Sequence, residues 1–125
     1  MDLPTLPMPG LLAGVAVTLS LGVASFVSGL ALGGLVMLAR LSRHRPLRAA
    51  AIVYVSVFRG TPPLVQLMLV YFGLPQLGVR LPPVPSAILT LSLYAGAHLS
   101  ENLRGGVLAV DSGQWDAADA MGMPR

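Results

Sequence analysis

The chain of 125 residues has no cysteine and no lysine, and only 10% of it is charged. Without cysteine there is no disulfide framework and no thiolate metal site. Without lysine there is no Walker A phosphate loop, whose lysine contacts the β- and γ-phosphates, so ATP is not bound by that route. Metal ligands are scarce as well: His98 and Glu101 form a bare pair three residues apart, and two ligands unsupported by Cys or further His make a poor site. No nucleophile–base pair stands out, so neither an enzyme activity nor a cofactor is expected. A soluble domain carries about 25% charged residues. Less than half of that, with 54% hydrophobic residues and a mean hydropathy of +0.75, points to a membrane protein.

Residues 11–39 read "LLAGVAVTLSLGVASFVSGLALGGLVMLA", with no charge and only Thr18, Ser20, Ser25 and Ser28 polar. As a helix this run is roughly 43 Å long, more than the ~30 Å hydrocarbon core requires. It reads as a membrane span rather than a cleaved leader. No basic stretch precedes it, it far exceeds a leader's apolar core, and its basic cluster follows.

That cluster is "RLSRHRPLR", with Arg40, Arg43, Arg45 and Arg48. The positive-inside rule assigns it to the cytoplasm and the N-terminus to the outside. Without interleaved aromatics it does not argue for nucleic acid. The expected order is then an external segment (1–10), a first span (11–39), a cytoplasmic basic loop (40–48) and a second span (49–74). An external loop rich in proline (75–85), a third span (86–110) and a cytoplasmic tail (111–125) follow.

The second span is interrupted by "VFRGTPPLVQL". Counted from Ala49, Arg59 lies roughly 15 Å into the run, close to the midplane, where an arginine should face protein or a water-filled cavity. A later start near Thr61 would instead leave Arg59 at the interface. Gly60, Thr61 and Pro62 read as a helix restart, with Thr61 as N-cap and Pro62 at the first helical position. A helix start inside a membrane suits a cavity for anionic groups, and with Arg59 a carboxylate is the natural guest. A proline kink that serves packing alone is the alternative.

In the third span Tyr94, His98, Glu101 and Gly105 are spaced by four, three and four, so they share one helical face. Glu101 and Arg104 are placed to pair. Such a face suits either a polar pathway or a structural ion pair. In the tail "DSGQWDAADAMGMPR", Asp111 or Ser112 is a candidate N-cap, with Gly122 and Pro124 as stop signals. About two turns remain, too short to be stable without a partner.

"LLAGVAVTLSLG", "YVSVFRGTPPLVQLMLVYFGLP" and "GAHLSENLRGGVLAVDSGQWDAADAMGM" together resemble the permease subunits of ABC importers for polar amino acids. The FRGTP block and the loop of pattern GQ.EAA...G carry the likeness. The resemblance implies an all-α, multi-pass protein of the bacterial inner membrane with five spanning helices. Three of them, and a short cytoplasmic coupling helix, are expected here, so the 125 residues are expected to be the N-terminal portion. It implies an ATP-binding cassette subunit, a second permease subunit and an external solute-binding protein as partners. Gly113, Gln114, Asp116, Ala117, Ala118 and Gly122 then match the ATPase-coupling loop. Arg59, Gly60, Thr61, Pro62, Gln66, His98 and Glu101 are expected along the substrate route.

Three positions depart from the family pattern. Asp116 replaces the usual Glu and shortens its reach. His98 stands where Tyr is common, and Asn102 where an aliphatic residue is usual. The alternative reading is a non-transporting membrane protein that dimerises through Gly29-x-x-x-Gly33 and titrates partner subunits.

Overall fold

The computed structural model describes residues 8–123, and the described residues form helices and turns with no strand. The expected stop at Pro124 and most of the external segment lie outside the described residues. The elements are α1 (Met8–Leu41), α2 (Arg45–Gly60), α3 (Pro63–Met68) and α4 (Pro83–Leu108), then α5 (Ser112–Ala120). A π-helical turn (Leu69–Gly73) and a 3-10 turn (Leu74–Leu77) carry α3 onward.

Helix α1 has 34 residues and no internal breaker. Its hydroxyls bond back to its own backbone, Thr18 to the Gly14 carbonyl and Ser20 to that of Val17, each at 2.9 Å. These two hydroxyls are thereby paired without a cross-helix partner, whereas the buried Ser25 Oγ has no partner among the described residues. Gly10–Leu41 is long and apolar enough to cross a membrane by itself. α2 and the segment from Pro63 to Leu77 pass the same test only when taken together, and they meet at 105°.

Helix α4 is the hub, packed against α1, α2, α3 and the π-turn. Its buried positions are small: Ser86, Thr90, Ser92, Gly96, Ala97 and Ser100. The hydroxyls of Thr90, Ser92 and Ser100 donate to carbonyls three or four residues back. That lets small polar residues line a helix interface without a cross-helix partner. It also explains why α4 is less apolar than a lipid-facing span.

The α1–α4 contact is the most extensive in the molecule. A Cβ built on Gly29 would stand 2.7 Å from the Ala95 Cβ, and one on Gly33 3.0 Å from the Gly96 carbonyl oxygen. Contacts advance together, from Gly29 beside Ser92 to Gly33 beside Ser100, so the two helices run parallel. The Gly29-x-x-x-Gly33 face expected to serve dimerisation is buried inside the chain, because only glycine admits the α4 backbone this closely.

Several boundaries differ from the sequence reading. The basic loop shrinks to Ser42–His44, because Arg45–Arg48 already form the first turn of α2, where Pro46 is tolerated. α4 begins at Pro83 rather than residue 86 for the same reason. Nor is α2 the first half of a straight crossing. Leu47, Ala50, Ala51 and Tyr54 line one open recess with Leu35, Val36 and Ala39 of α1, and the bend that follows turns the chain by 105°.

Candidate functional site

Arg45, Arg48, Ser56 and Arg59 share one face of α2, and Leu47, Val53 and Val57 the opposite one. Ala51 and Val55 are buried between these faces. The Tyr54 hydroxyl donates to the Leu93 carbonyl of α4, which fixes the rotation of α2. Arg59, in the last turn of α2, thereby reaches α4.

Its Nη1 lies 3.7 Å from Glu101 Oε2. The same carboxylate is bonded by Arg40 of α1 through Oε1. Arg104, one turn on, grips it with two bonds, Nε to Oε1 at 3.1 Å and Nη2 to Oε2 at 3.0 Å. Three guanidiniums thus converge on one carboxylate and join α1, α2 and α4. The Arg40 and Glu101 side chains are 16% and 17% exposed, that of Arg59 46%. Arg59 is the longest and most open of the three contacts.

Arg40 sits in the last turn of α1 and Glu101 in the last third of α4. A guanidinium that shares their carboxylate lies toward that end of the α1–α4 pair. Sequence reasoning left Arg40 in the basic loop. Its spacing of eleven from Gly29 and seven from Gly33 puts it on the α4-facing stripe, a signal that was available.

The break falls where the sequence places it but is built one residue later. Pro62 is the N-cap of α3 and Pro63 its first residue. Thr61 instead caps the preceding helix, its hydroxyl donating to the Val57 carbonyl at 2.8 Å. Two successive prolines supply no N–H, so α3 opens with fewer free donors than an ordinary helix start. Gly60 ends α2.

Gln66 closes the bend. Its Nε2 donates to the Phe58 carbonyl at 2.9 Å, the Thr61 carbonyl at 3.0 Å and the Thr61 hydroxyl at 2.6 Å. The residue is buried, and its Oε1 has no partner among the described residues. Beside it lies an apolar recess of about 210 Å³, lined by Val57, Phe58, Leu69 and Val70. His98 stacks on Tyr94 with ring centroids 4.5 Å apart. Its Nε2 is likewise buried without a partner among the described residues.

The coupling segment forms α5. Asp111 is its N-cap, with the carboxylate accepting from the Gly113 N–H at 2.7 Å. It ends in a Schellman motif: Met123 N–H to the Ala118 carbonyl and Gly122 N–H to that of Asp119, each at 3.0 Å, with Gly122 at φ 74. Gln114, Asp116 and Ala117 are exposed, as is Trp115, and Ala118 is half-buried. Both ends of this two-turn helix are fastened locally while its sides stay open.

Residues 29–125 match the family described as a binding-protein-dependent transport system inner membrane component. The chain belongs to that family. It is 47% identical over 122 residues to the arginine transport system permease protein ArtQ of Bacillus subtilis (strain 168), covering 96% of this chain and 56% of that protein. It is 40% identical over 113 residues to the putative glutamine transport system permease protein GlnP of Rickettsia bellii (strain RML369-C), covering 90% and 52%. The crystal structure of an amino acid ABC transporter with histidines superposes with a TM-score of 0.90 at 35% identity, over 100% of this chain and 60% of that one. The chain thus spans about half the length of the curated relatives it matches. The family is one of inner-membrane components of binding-protein-dependent transport systems.

Proposed function

We propose that this chain supplies part of the transmembrane pathway of the permease subunit of an ATP-driven importer for polar amino acids. The Arg59–Glu101 contact carries the reading. A half-exposed guanidinium at a helix break, held by the longest of three contacts to one carboxylate, is suited to exchange that carboxylate for a substrate's. Glu101 holds the place while the pathway is empty, and Arg40 and Arg104 retain Glu101 when Arg59 turns to the substrate. Gly60, Thr61, Pro62 and Gln66 set the bend that presents Arg59, and His98 adds polarity one turn before Glu101.

The chain crosses the membrane three times, by α1, by Pro63–Leu77 and by α4. Parallel α1 and α4 require an odd number of crossings between the end of one and the start of the other, and this supports the count. Arg40, Arg43, Arg45 and Arg48 then lie at the same end as α5. The positive-inside rule makes that end cytoplasmic and the N-terminus external. There α5 meets the ATP-binding cassette subunit through Gly113, Gln114, Asp116, Ala117, Ala118 and Gly122. A second permease subunit and an external solute-binding protein complete the transporter. The names of the relatives suggest arginine or glutamine as cargo, and both bring the α-carboxylate that Arg59 would receive.

The test is ATP-dependent uptake of labelled arginine and glutamine into proteoliposomes holding the permease subunit that contains this chain, a second permease subunit, the ATP-binding subunit and the binding protein. Uptake of either supports the proposal. Assembly of the subunits with no flux of any polar amino acid contradicts it.

A further inference from the structure

The arginines the site does not use form a second feature. Arg43, Arg45 and Arg48 are exposed and, unlike Arg40, join no ion pair among the described residues. Residues 3–100 contain no Asp or Glu, and Glu101 already serves three other guanidiniums. Arg45 and Arg48 are one turn apart on the polar face of α2, and Arg43 and His44 sit in the turn before it.

The opposite face of α2 is exposed and apolar: Leu47 is 50% and Val53 61% exposed. α2 follows α1 after three residues and meets the Pro63–Leu77 segment at 105°, so where that segment spans, α2 lies near the membrane plane. An amphipathic helix so held lies at the interface, with apolar side chains among the acyl chains and cations among the headgroups. Three unpaired guanidiniums at that depth match the phosphates of anionic lipids, which arginine can hold by two bonds each.

We propose that the Ser42–His44 turn and the start of α2 form a docking surface for anionic lipid headgroups, with Arg43, Arg45 and Arg48 as its phosphate ligands. The surface needs only that the chain be embedded, whichever way it is oriented and whatever it transports.

The full chain is reconstituted in phosphatidylcholine bilayers with spin-labelled phosphatidylglycerol or spin-labelled phosphatidylcholine, and the motionally restricted fraction is read by electron paramagnetic resonance. Phosphatidylglycerol should associate at least about twofold more strongly than phosphatidylcholine, and 1 M salt should weaken the preference. The triple variant R43Q/R45Q/R48Q should bring the ratio close to unity, while R43K/R45K/R48K keeps most of it. Equal association of the two lipids with the native chain overturns the proposal. So does a preference that the glutamine variant retains at native helix content. If that variant loses the ATP-binding subunit but not the lipid preference, the arginines serve a protein partner and the lipid assignment fails.

Discussion

Arg59 Nη1 lies 3.7 Å from Glu101 Oε2, and through that carboxylate the last turn of α2 is tied to α4 and, by way of Arg40, to α1. Three helices meet on a single negative charge with two positive charges in excess. The excess is what an incoming carboxylate would meet.

Removing the shared carboxylate should be felt by all three helices. Glu101→Gln leaves two half-buried guanidiniums and Arg59 without a counter-ion, and is expected to lower stability by ~1–3 kcal/mol. Chemical unfolding of the detergent-solubilised chain, followed by circular dichroism, measures it. Adding Arg40→Gln should recover part of the loss, as expected of residues that share one partner. An unchanged midpoint for Glu101→Gln would mean that the cluster does not hold the helices.

The parallel α1–α4 seam makes a contrast between glycines. Gly33→Ala puts a methyl 3.0 Å from backbone oxygen and from the Leu99 Cβ, and should cost ~1–3 kcal/mol as the helices part. Gly22→Ala meets nothing within 4 Å and should be neutral or slightly stabilising. Equal thermal midpoints for the two variants would contradict the seam.

Gln66 is a brace of the bend as well as a candidate pathway residue. Gln66→Leu keeps the bulk and removes every bond to Phe58 and Thr61, so α2 and α3 should lose their fixed angle. Spin labels on exposed Val53 and Leu69 should give a broadened distance distribution in double electron–electron resonance. A distribution as narrow as that of the native chain would assign the bend to the prolines alone.

Gly122 stands at φ 74, a conformation that proline cannot adopt and that costs other residues roughly 1 kcal/mol. Gly122→Pro should unravel the last turn of α5 and release the ATP-binding subunit during purification. Trp115, the single tryptophan, reports the change by fluorescence. Retention of the ATP-binding subunit would remove α5 from the coupling role.

The helices were legible in the sequence, and so were their breaks. Long apolar runs, the Thr61–Pro62 interruption and the Asp111 and Gly122 caps each act within a few residues, so local chemistry decides them. The direction taken after each break was not legible. Pro46 reads as a loop residue, yet a proline in a first helical turn loses no bond, so α2 starts earlier, and the chain turns by 105° after it. The placement of Arg59 depends on that geometry and on a carboxylate far along the chain. Arg40 was missed because its partner lies on another helix, although its register with Gly33 marks the same stripe.

The most direct test of the account is uptake by the assembled transporter carrying Arg59→Ala, beside Arg59→Lys. Loss of a charge-assisted contact to the substrate carboxylate should reduce uptake about tenfold or more, with the ATP-binding subunit still bound and Arg59→Lys partly active. Native uptake in Arg59→Ala, with the subunits assembled, would contradict the role given to Arg59 and leave the Glu101 cluster a purely structural tie.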